Sequence, residues 1–543
     1  MTTLEDVAGQ RYDLLIIGGG APGLFAAADA AARGLSVVLI DKADFGGDPS
    51  WPDQRTIGGG LQSFREGRLS LAKRQIAERR IWARLAPHLL RPLPFLAGTY
   101  RWTRRSKLLA KAGFRTYDLL GRKRNAGVSQ ELHLPKARLE SAAATRRLFP
   151  GVAPVGLTGG AIWYDYQARY PERLTWALAL NARKHGATLL NYVEATAAIR
   201  TGTGVVIGAQ IRDVLSGATA DLQAAATLVA TPGGALSALA ALGIAGPDMP
   251  VLRTMDVLLN RPARDIALVA PSRAGHFMTA IPWHGHLLVG THLSRRPVNA
   301  QAGGPPDEAI EAFLSDVNEA FPHLSAERRD IRLLYSGLVP ADSHGPTVER
   351  LRLPRVVSHA RDGAPGVTSL VGAEFTTARW AAERAVDAVC ADLTRKAARS
   401  LAHDRALPHA GIADVEGRLL ETLREIRVSL DRDVIEHLIG WYGTEASTVV
   451  RYATAQGLTE RIASDGPILA GEVAYAVDHE AAARLTDVIL RRTPIGAAGH
   501  PGAAAVSAVA RVMSARLGWT PDRVAAELAD LDATYRTLIA SVR

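Results

Sequence analysis

Gly18, Gly20 and Gly23 stand in G-x-G-x-x-G spacing directly after the apolar run Leu14-Leu15-Ile16-Ile17. That order of residue types serves a nucleotide. Gly18 permits a tight turn, Gly20 lets a pyrophosphate approach backbone N–H groups, and Gly23 lets a helix lie close on the strand. Asp41 follows 18 residues after Gly23, at the end of a second apolar run, Val37 to Ile40. A carboxylate there accepts ribose hydroxyls and disfavours a 2'-phosphate. The chemistry in prospect is therefore redox with a dinucleotide. The motif alone does not separate NAD from FAD; its place near the start of a long chain leans towards FAD.

These residues need a strand, a helix and a second strand to hold them. Leu14 to Ile17 reads as a strand buried on both faces, and the alanine-rich stretch after Gly23 as a helix that aims its N-terminal N–H groups at phosphate and stops at Gly34. Further along, Phe45 to Leu61 is a Gly-, Asp- and Pro-rich loop, Arg65 to Leu85 has helical spacing, and Leu89 to Leu120 mixes strand and helix signals. Pro171 opens a helix that ends at His185-Gly186, followed by short strands over 188–193 and 205–211 and a buried one over 226–230 that leads to Thr231-Pro232-Gly233-Gly234. From Met255 to Leu334 the strands alternate apolar and polar residues, as an antiparallel sheet with one substrate-facing side would. A last buried strand, 367–372, leads into a helix over 376–392; beyond a polar stretch, 395–411, the chain reads as almost wholly helical.

Composition excludes several classes. A chain of 543 residues with 47% hydrophobic and 22% charged content is long enough for two or more well-filled domains and is not disordered. Its single cysteine, Cys390, excludes an internal disulfide framework and cysteine-based metal clusters; a reducing, cytoplasmic setting and no bound metal are expected. No leader pattern and no run of 18 apolar residues occurs. The net charge of +10 is spread among acids, with one local excess over Arg101 to Arg124 that includes Arg101-Trp102-Thr103-Arg104-Arg105 and Arg122-Lys123-Arg124. A solvated basic surface and a contact with anionic lipid on the inner face of the cytoplasmic membrane are both open readings; a nucleic-acid partner is not expected.

Several separated stretches together resemble the FAD-dependent glycerol-3-phosphate dehydrogenase family over nearly the whole length. They are the Gly18 to Gly23 opening with Ala32 to Val37, Ile57-Gly58-Gly59-Gly60-Leu61 before a long helix, Ala86 to Phe95, Tyr164-Asp165 with Arg173-Leu174, Ile281-Pro282-Trp283 with Gly290-Thr291, Tyr335-Ser336-Gly337, and Thr376-Thr377 with Arg379. The most specific lies late: Glu472 to Val477 with Arg484 to Thr493 is similar to the family's C-terminal helical domain. The resemblance implies an α/β fold in which a Rossmann-type FAD-binding domain (about 11–85, 170–250 and 335–395) is interleaved with an antiparallel-sheet substrate domain (about 86–169 and 251–334). A linker, 396–411, and an all-α domain, 412–543, would follow. It implies extended FAD with its pyrophosphate on Gly18, Gly20 and Gly23, its ribose on Asp41 beside Lys42, its adenine near Val193, and its ribityl chain and ring near Gly233, Gly372 and Thr376. Gly59, Gly60 and Ala230 complete the expected cofactor set.

Departures cluster where the family binds substrate. The family loop ends His-Gly-Gly-Leu-Arg-Tyr, against Gly58-Gly59-Gly60-Leu61-Gln62-Ser63 here. The arginine of its Ser-Gly-Val-Arg-Pro motif is Val339, and the lysine of its Gly-Gly-Lys motif is Glu374. A phosphate dianion needs cationic, multidentate donors, which Gln62, Val339 and Glu374 do not supply. Arg55, Arg65, Arg68 and Arg350 could replace them, Arg350 first, because the family has an arginine at about that distance after its proline motif. Glu374 is either an ion-pair partner of Arg350 or Arg379 or a contact for a cationic or hydroxyl-rich substrate. For a base, His292, standing where the family has the second Thr of Gly-Thr-Thr, is preferred to His284 and His286; Tyr164 and Gln62 are hydrogen-bonding candidates. His292, Glu374 and Arg350 thus form the expected catalytic set, and Gln62, Tyr164, Val339 and Glu374 the substrate contacts. Three readings stand: a flavoenzyme oxidising a non-phosphorylated alcohol, polyol or amine, with quinone or oxygen as electron acceptor; a glycerol-3-phosphate dehydrogenase with a rearranged anion site; and a flavin-binding partner protein without turnover. The sequence leaves a homodimer open.

Overall fold

The computed structural model describes residues 3–47, 55–101, 107–231, 233–272, 277–299, 303–344, 347–393, 398–400, 402, 405–411 and 414–539. The first sheet is built outward from the strand Arg11–Ile17. Val37–Asp41 and Thr219–Val229 flank it in parallel, Thr188–Asn191 and Val367–Val371 extend it in parallel, and Arg355–Ser358 closes one edge antiparallel. Strands covered on both faces carry continuous apolar runs, and Leu14, Leu15, Ile16, Val38, Leu39 and Ile40 are all fully buried. The helices Ala21–Ala32, Pro171–Lys184 and Ala378–Asp392 pack on one side of it, where the small side chains of Ala26, Ala27, Ala30, Ala381, Ala382 and Ala385 let their axes approach. The continuous strand expected over 188–193 is interrupted: Tyr192 takes a left-handed φ of 59°, and a new strand, Val193–Arg200, pairs with Val206–Asp213 instead.

The second sheet runs Thr347–Arg350, Ile331–His344, Val251–Leu259, His286–Leu293, Phe277–Trp283, Ala267–Pro271, Leu90–Tyr100, Leu157–Ala168 and Thr56–Ile57, with Arg138–Ser141 added on Leu157–Ala168. All pairings are antiparallel except that of Ala267–Pro271 with Leu90–Tyr100. Pro92 and Pro94 are tolerated because only residues 95–97 of their strand are paired on its second edge. The helix Asp307–Ala320 covers one face through a core that includes Leu96, Ile162, Met255, Val257, Met278, Ala280, Leu287 and Val289. Residues between these in sequence, Phe95, Leu258, Phe277, Ile281, Leu288 and Tyr335, point to the opposite face.

The chain beyond 414 folds as helices, among them Val415–Glu425, Arg432–Tyr442, Ala446–Ala455, Ala470–His479, Ala503–Leu517 and Pro521–Ile539. The apolar faces of Ala470–His479, Ala503–Leu517 and Pro521–Ile539 form one core with Leu258, Trp283, Leu288, Leu333 and Tyr335 of the second sheet, while the three earlier helices pack on one another around Leu419, Leu438, Trp441 and Val449. Of the stretch expected as a linker, residues 396, 397, 401, 403 and 404 lie outside the described residues, as do Trp102 to Ser106 of the basic segment and Pro232; Leu407 and Ala410 are buried, and the Leu407 N–H donates to Leu85 O at 2.9 Å. Among the described residues no helix is long and apolar enough to cross a membrane, and no group of three or more His, Cys, Asp or Glu could hold a metal.

Candidate functional site

At the carboxyl ends of the first sheet the backbone is packed too closely for side chains. Gly18 has φ +116°, and a Cβ on it would come within 2.5 Å of Thr231 Cγ2 and 2.8 Å of Ala230 O; one on Gly23 would lie 1.9 Å from Gly18 O. Gly18 N–H donates to Ile40 O, and Ala230 N–H to Ile17 O, so the two neighbouring strand ends fix the turn. Asp41 Oδ2 accepts from Gly19 N–H at 2.6 Å and Oδ1 from Ala43 N–H at 2.8 Å. A carboxylate offers about four lone-pair sites, and an acid at this strand end is suited to accept ribose hydroxyls. Val193 is buried with Ile17, Ile40 and Val229, Gly233 lies in the turn before the helix Ala235–Ala241, and Lys42 is exposed.

A second glycine segment approaches from the other sheet. Gly58 N–H donates to Thr376 Oγ1 at 3.2 Å, and Gly59 N–H to Asp165 Oδ1 at 2.7 Å; Gly59 O accepts from Tyr117. Burial pushes the Tyr117 phenol up to about 12, which keeps it a donor. The guanidinium of Arg79 bonds both Asp165 and Tyr164 O, and a Cβ on Gly59 would sit 2.1 Å from it. Gly60 (φ +75°) and Gly372 (φ +76°) each need a left-handed backbone, and a Cβ on Gly372 would meet Leu351 at 2.4 Å. Arg79, Tyr117 and the support role of Asp165 are invisible in the sequence. Arg79 sits in a helix with five other cations or acids, so nothing in the sequence distinguishes it.

Glu374 joins the expected substrate residues. Its Oε1 lies 3.4 Å from Arg350 Nη2, its Oε2 accepts from Gln75 Nε2 at 3.3 Å, and Gln75 Oε1 accepts from Ser63 Oγ at 2.7 Å. Ser63 and Gln75 are thus wall residues that spacing did not single out. Gln62 is exposed and donates to Glu66 Oε1 one turn on, away from Glu374. Val339 is half-buried opposite Leu252 and by strand alternation shares a face with Tyr335 and Gly337. The other expected cations are also engaged: Arg55 packs over Tyr335 and Trp283 and lies 3.5 Å from Glu172, Arg65 lies 4.1 Å above the Phe277 ring, and Arg68 pairs with Glu66 and Glu349.

Two expected residues lie elsewhere. His292 pairs with Met255 across the strands, so it is on the face covered by the helix Asp307–Ala320; its Nδ1 is 3.1 Å from Asp316 Oδ2 and its ring packs on Phe313. The residue before it, Thr291, reaches the opposite face and donates to Asp256 Oδ1 at 3.0 Å. Tyr164 sits on the face opposite Asp165, its hydroxyl bonded by Arg138. His284 packs between Tyr170 and Trp283, and burial with Arg55 and Arg91 nearby pushes its imidazole down to about 4. What the opposite face of the second sheet presents instead is apolar: Leu93, Phe95, Val269 and Ile281 are buried in one cluster, and half-buried Trp163 and Phe277 pack on it. Phe95 and Trp163 stack at 5.6 Å, and Phe114 of the helix Lys107–Leu120 approaches Trp163 at 6.4 Å.

A family profile described as "FAD dependent oxidoreductase" matches residues 13–384, well over half of the chain. The chain belongs to that family. A second profile, "C-terminal domain of alpha-glycerophosphate oxidase", matches residues 367–524. Among curated proteins, a glycerol-3-phosphate dehydrogenase of Synechocystis sp. is 29% identical over 96% of both chains, and one of Mycobacterium leprae is 28% identical over 98% of this chain and 89% of its own. The solved structure of the glycerol-3-phosphate dehydrogenase from Bacillus halodurans, complexed with FAD, is 22% identical, covers 99% of this chain and 97% of its own, and superposes with a TM-score of 0.74, which establishes the shared fold. FAD is the cofactor of this oxidoreductase. The cradle suits it: the turn around Gly18 and Gly20 opens onto the N-terminus of the helix Ala21–Ala32, which favours a pyrophosphate, and Asp41 stands ready for the ribose. When bound, FAD supplies a two-electron acceptor.

Proposed function

We propose that this FAD-dependent oxidoreductase takes hydride from a CH–OH or CH–NH carbon of a small molecule that carries no phosphate, with quinone or oxygen as the final electron acceptor. The observation that carries the reading is the Glu374–Arg350 pair, extended by Gln75 and Ser63. A phosphate dianion needs several cations whose charge is not already matched. Here the arginine at that wall faces a carboxylate, and Arg55, Arg65 and Arg68 are held by acids or rings. Bringing a dianion against Glu374 adds like-charge repulsion in a partly buried place. The half-buried rings of Trp163 and Phe277 support the same reading, since they suit an uncharged substituent better than a solvated anion.

A second reading is glycerol-3-phosphate oxidation through a rearranged site. It is favoured by the end-to-end match to proteins named glycerol-3-phosphate dehydrogenase and by the presence of Arg350. The test is anaerobic bleaching of the flavin absorbance with glycerol 3-phosphate, glycerol, longer neutral polyols, aryl-substituted diols and amino alcohols. Bleaching by neutral or amine compounds alone is expected. Rapid bleaching by glycerol 3-phosphate at sub-millimolar concentration would establish the second reading.

A further inference from the structure

The C-terminal domain reaches back to the adenosine end of the cofactor cradle. Asp44, three residues past Asp41, is fully buried, and each of its oxygens accepts two hydrogen bonds. Arg492 donates to Oδ1 and Oδ2 at 2.8 Å each, Arg491 to Oδ2 at 2.7 Å, and Asn191 to Oδ1 at 3.0 Å. Both cations come from the π-helical turn Val488–Arg492 of the C-terminal helices. They are held from behind: Arg492 lies 4.4 Å over the Trp176 ring and donates to Glu480 O, while Arg491 bonds Asp487, which also accepts from Tyr192. The Tyr192 N–H in turn donates to Ala43 O at 3.0 Å.

The loop gripped in this way shapes the nucleotide turn. Gly46 N–H donates to Gly19 O at 3.1 Å, Phe45 packs on Gly19 so closely that a Cβ there would be 2.6 Å from its ring, and Asp41 holds the Gly19 N–H. Arg491 also lines a small pocket with Phe45, Gly46, Arg55 and Glu172. A carboxylate buried this deeply keeps its charge only while both guanidiniums face it, so the loop and the C-terminal turn adopt their positions together.

We propose that Arg491 and Arg492 are positioning residues for FAD: the C-terminal domain clamps the Asp41–Gly47 loop through Asp44 and thereby sets the affinity for the ADP half of the cofactor. The inference rests on FAD as cofactor and is independent of which substrate is oxidised. Preorganising a loop raises affinity by removing its ordering cost from the binding step. The coupling is reciprocal, so the cofactor must also tighten the docking of the C-terminal turn.

Two measurements test this. In the holoprotein, Arg491→Gln and Asp44→Asn should release FAD, followed by its fluorescence on dilution, about tenfold faster, and after release should bind ADP more weakly by a similar factor; Arg492→Lys, which keeps the charge, should lie in between. A purely structural pair would lower the melting temperature and leave the ADP affinity of the folded protein within twofold of the parent, which would overturn the proposal. On the unaltered chain, whose folding is not in question, amide exchange over 485–493 should slow when ADP is added to FAD-free protein. Unchanged exchange would overturn it too.

Discussion

The Gly18–Gly23 turn and the Glu374–Arg350 pair are held by different means. In the turn, backbone meets backbone: a single Cβ on Gly23 would lie 1.9 Å from Gly18 O, and backbone hydrogen bonds to both neighbouring strand ends fix it. At the wall, side chains meet one another at partly exposed positions, with Glu374 and Arg350 at 23% and 31% exposure. The difference teaches where such a protein can change what it does. Binding FAD is written into close approach, which permits one residue type; under the proposed function, choosing a substrate is written into charge, which one substitution reverses.

The hardest way to break that comparison is Gly23→Ala. With a backbone oxygen as the obstacle, the helix must shift off the strand, and the purified variant should carry no measurable flavin absorbance. Next in size is Asp165→Asn, which leaves Arg79 buried without its counter-charge. Loss of about 3–5 kcal/mol is expected, read as a lower denaturant midpoint, and a loss under about 1 kcal/mol would mean that the Gly59 segment is not braced there. Glu374→Lys sharpens the comparison from the other side: two cations in place of an ion pair should tighten competition by inorganic phosphate by about tenfold or more at low ionic strength and less at high salt. No gain would show that the wall does not face the anion.

The smallest effect concerns pH. Burial holds His284 at about 4 and His88 at about 3, below the ordinary 6.5. The unfolded chain therefore binds protons between pH 6.5 and those values that the folded chain does not. Stability from each histidine is complete above pH 6.5 and is lost as pH falls towards the folded value, at about 1.4 kcal/mol per pH unit. Thermal melting followed from pH 7 to pH 5 should fall less steeply in His284→Gln than in the parent.

How much was legible in the sequence divides along the same line. The strand, glycines, helix, second strand and acid are a local, ordered pattern, and the fold places Gly18, Gly20, Gly23 and Asp41 together as that pattern requires. The Glu374–Arg350 pair was one of two readings open for Glu374, and the ion pair is what forms. Faces were not legible where a register irregularity intervenes. The shift between Met255 and Val257 accompanies His292 on the helix-covered side and Thr291 on the other, so alternation counted along one strand points to the wrong neighbour. Nor were supports that join distant segments: Asp44 and Arg492 are 448 positions apart, and nothing in either neighbourhood announces the other.

The helix Asp307–Ala320 seals one side of the ten-stranded sheet. On the other side the C-terminal helices claim Leu258, Trp283, Leu288, Leu333 and Tyr335, and the positions outside both cores recur at every second residue around Trp163 and Phe277. A mutational library aimed at new substrates could therefore be confined to Phe95, Trp163, Phe277, Ile281, Val339 and their same-side neighbours. By the same token, a one-residue insertion within any of these strands would exchange the two sides wholesale, so this enzyme's diversification should proceed by substitution and be nearly closed to insertions and deletions there.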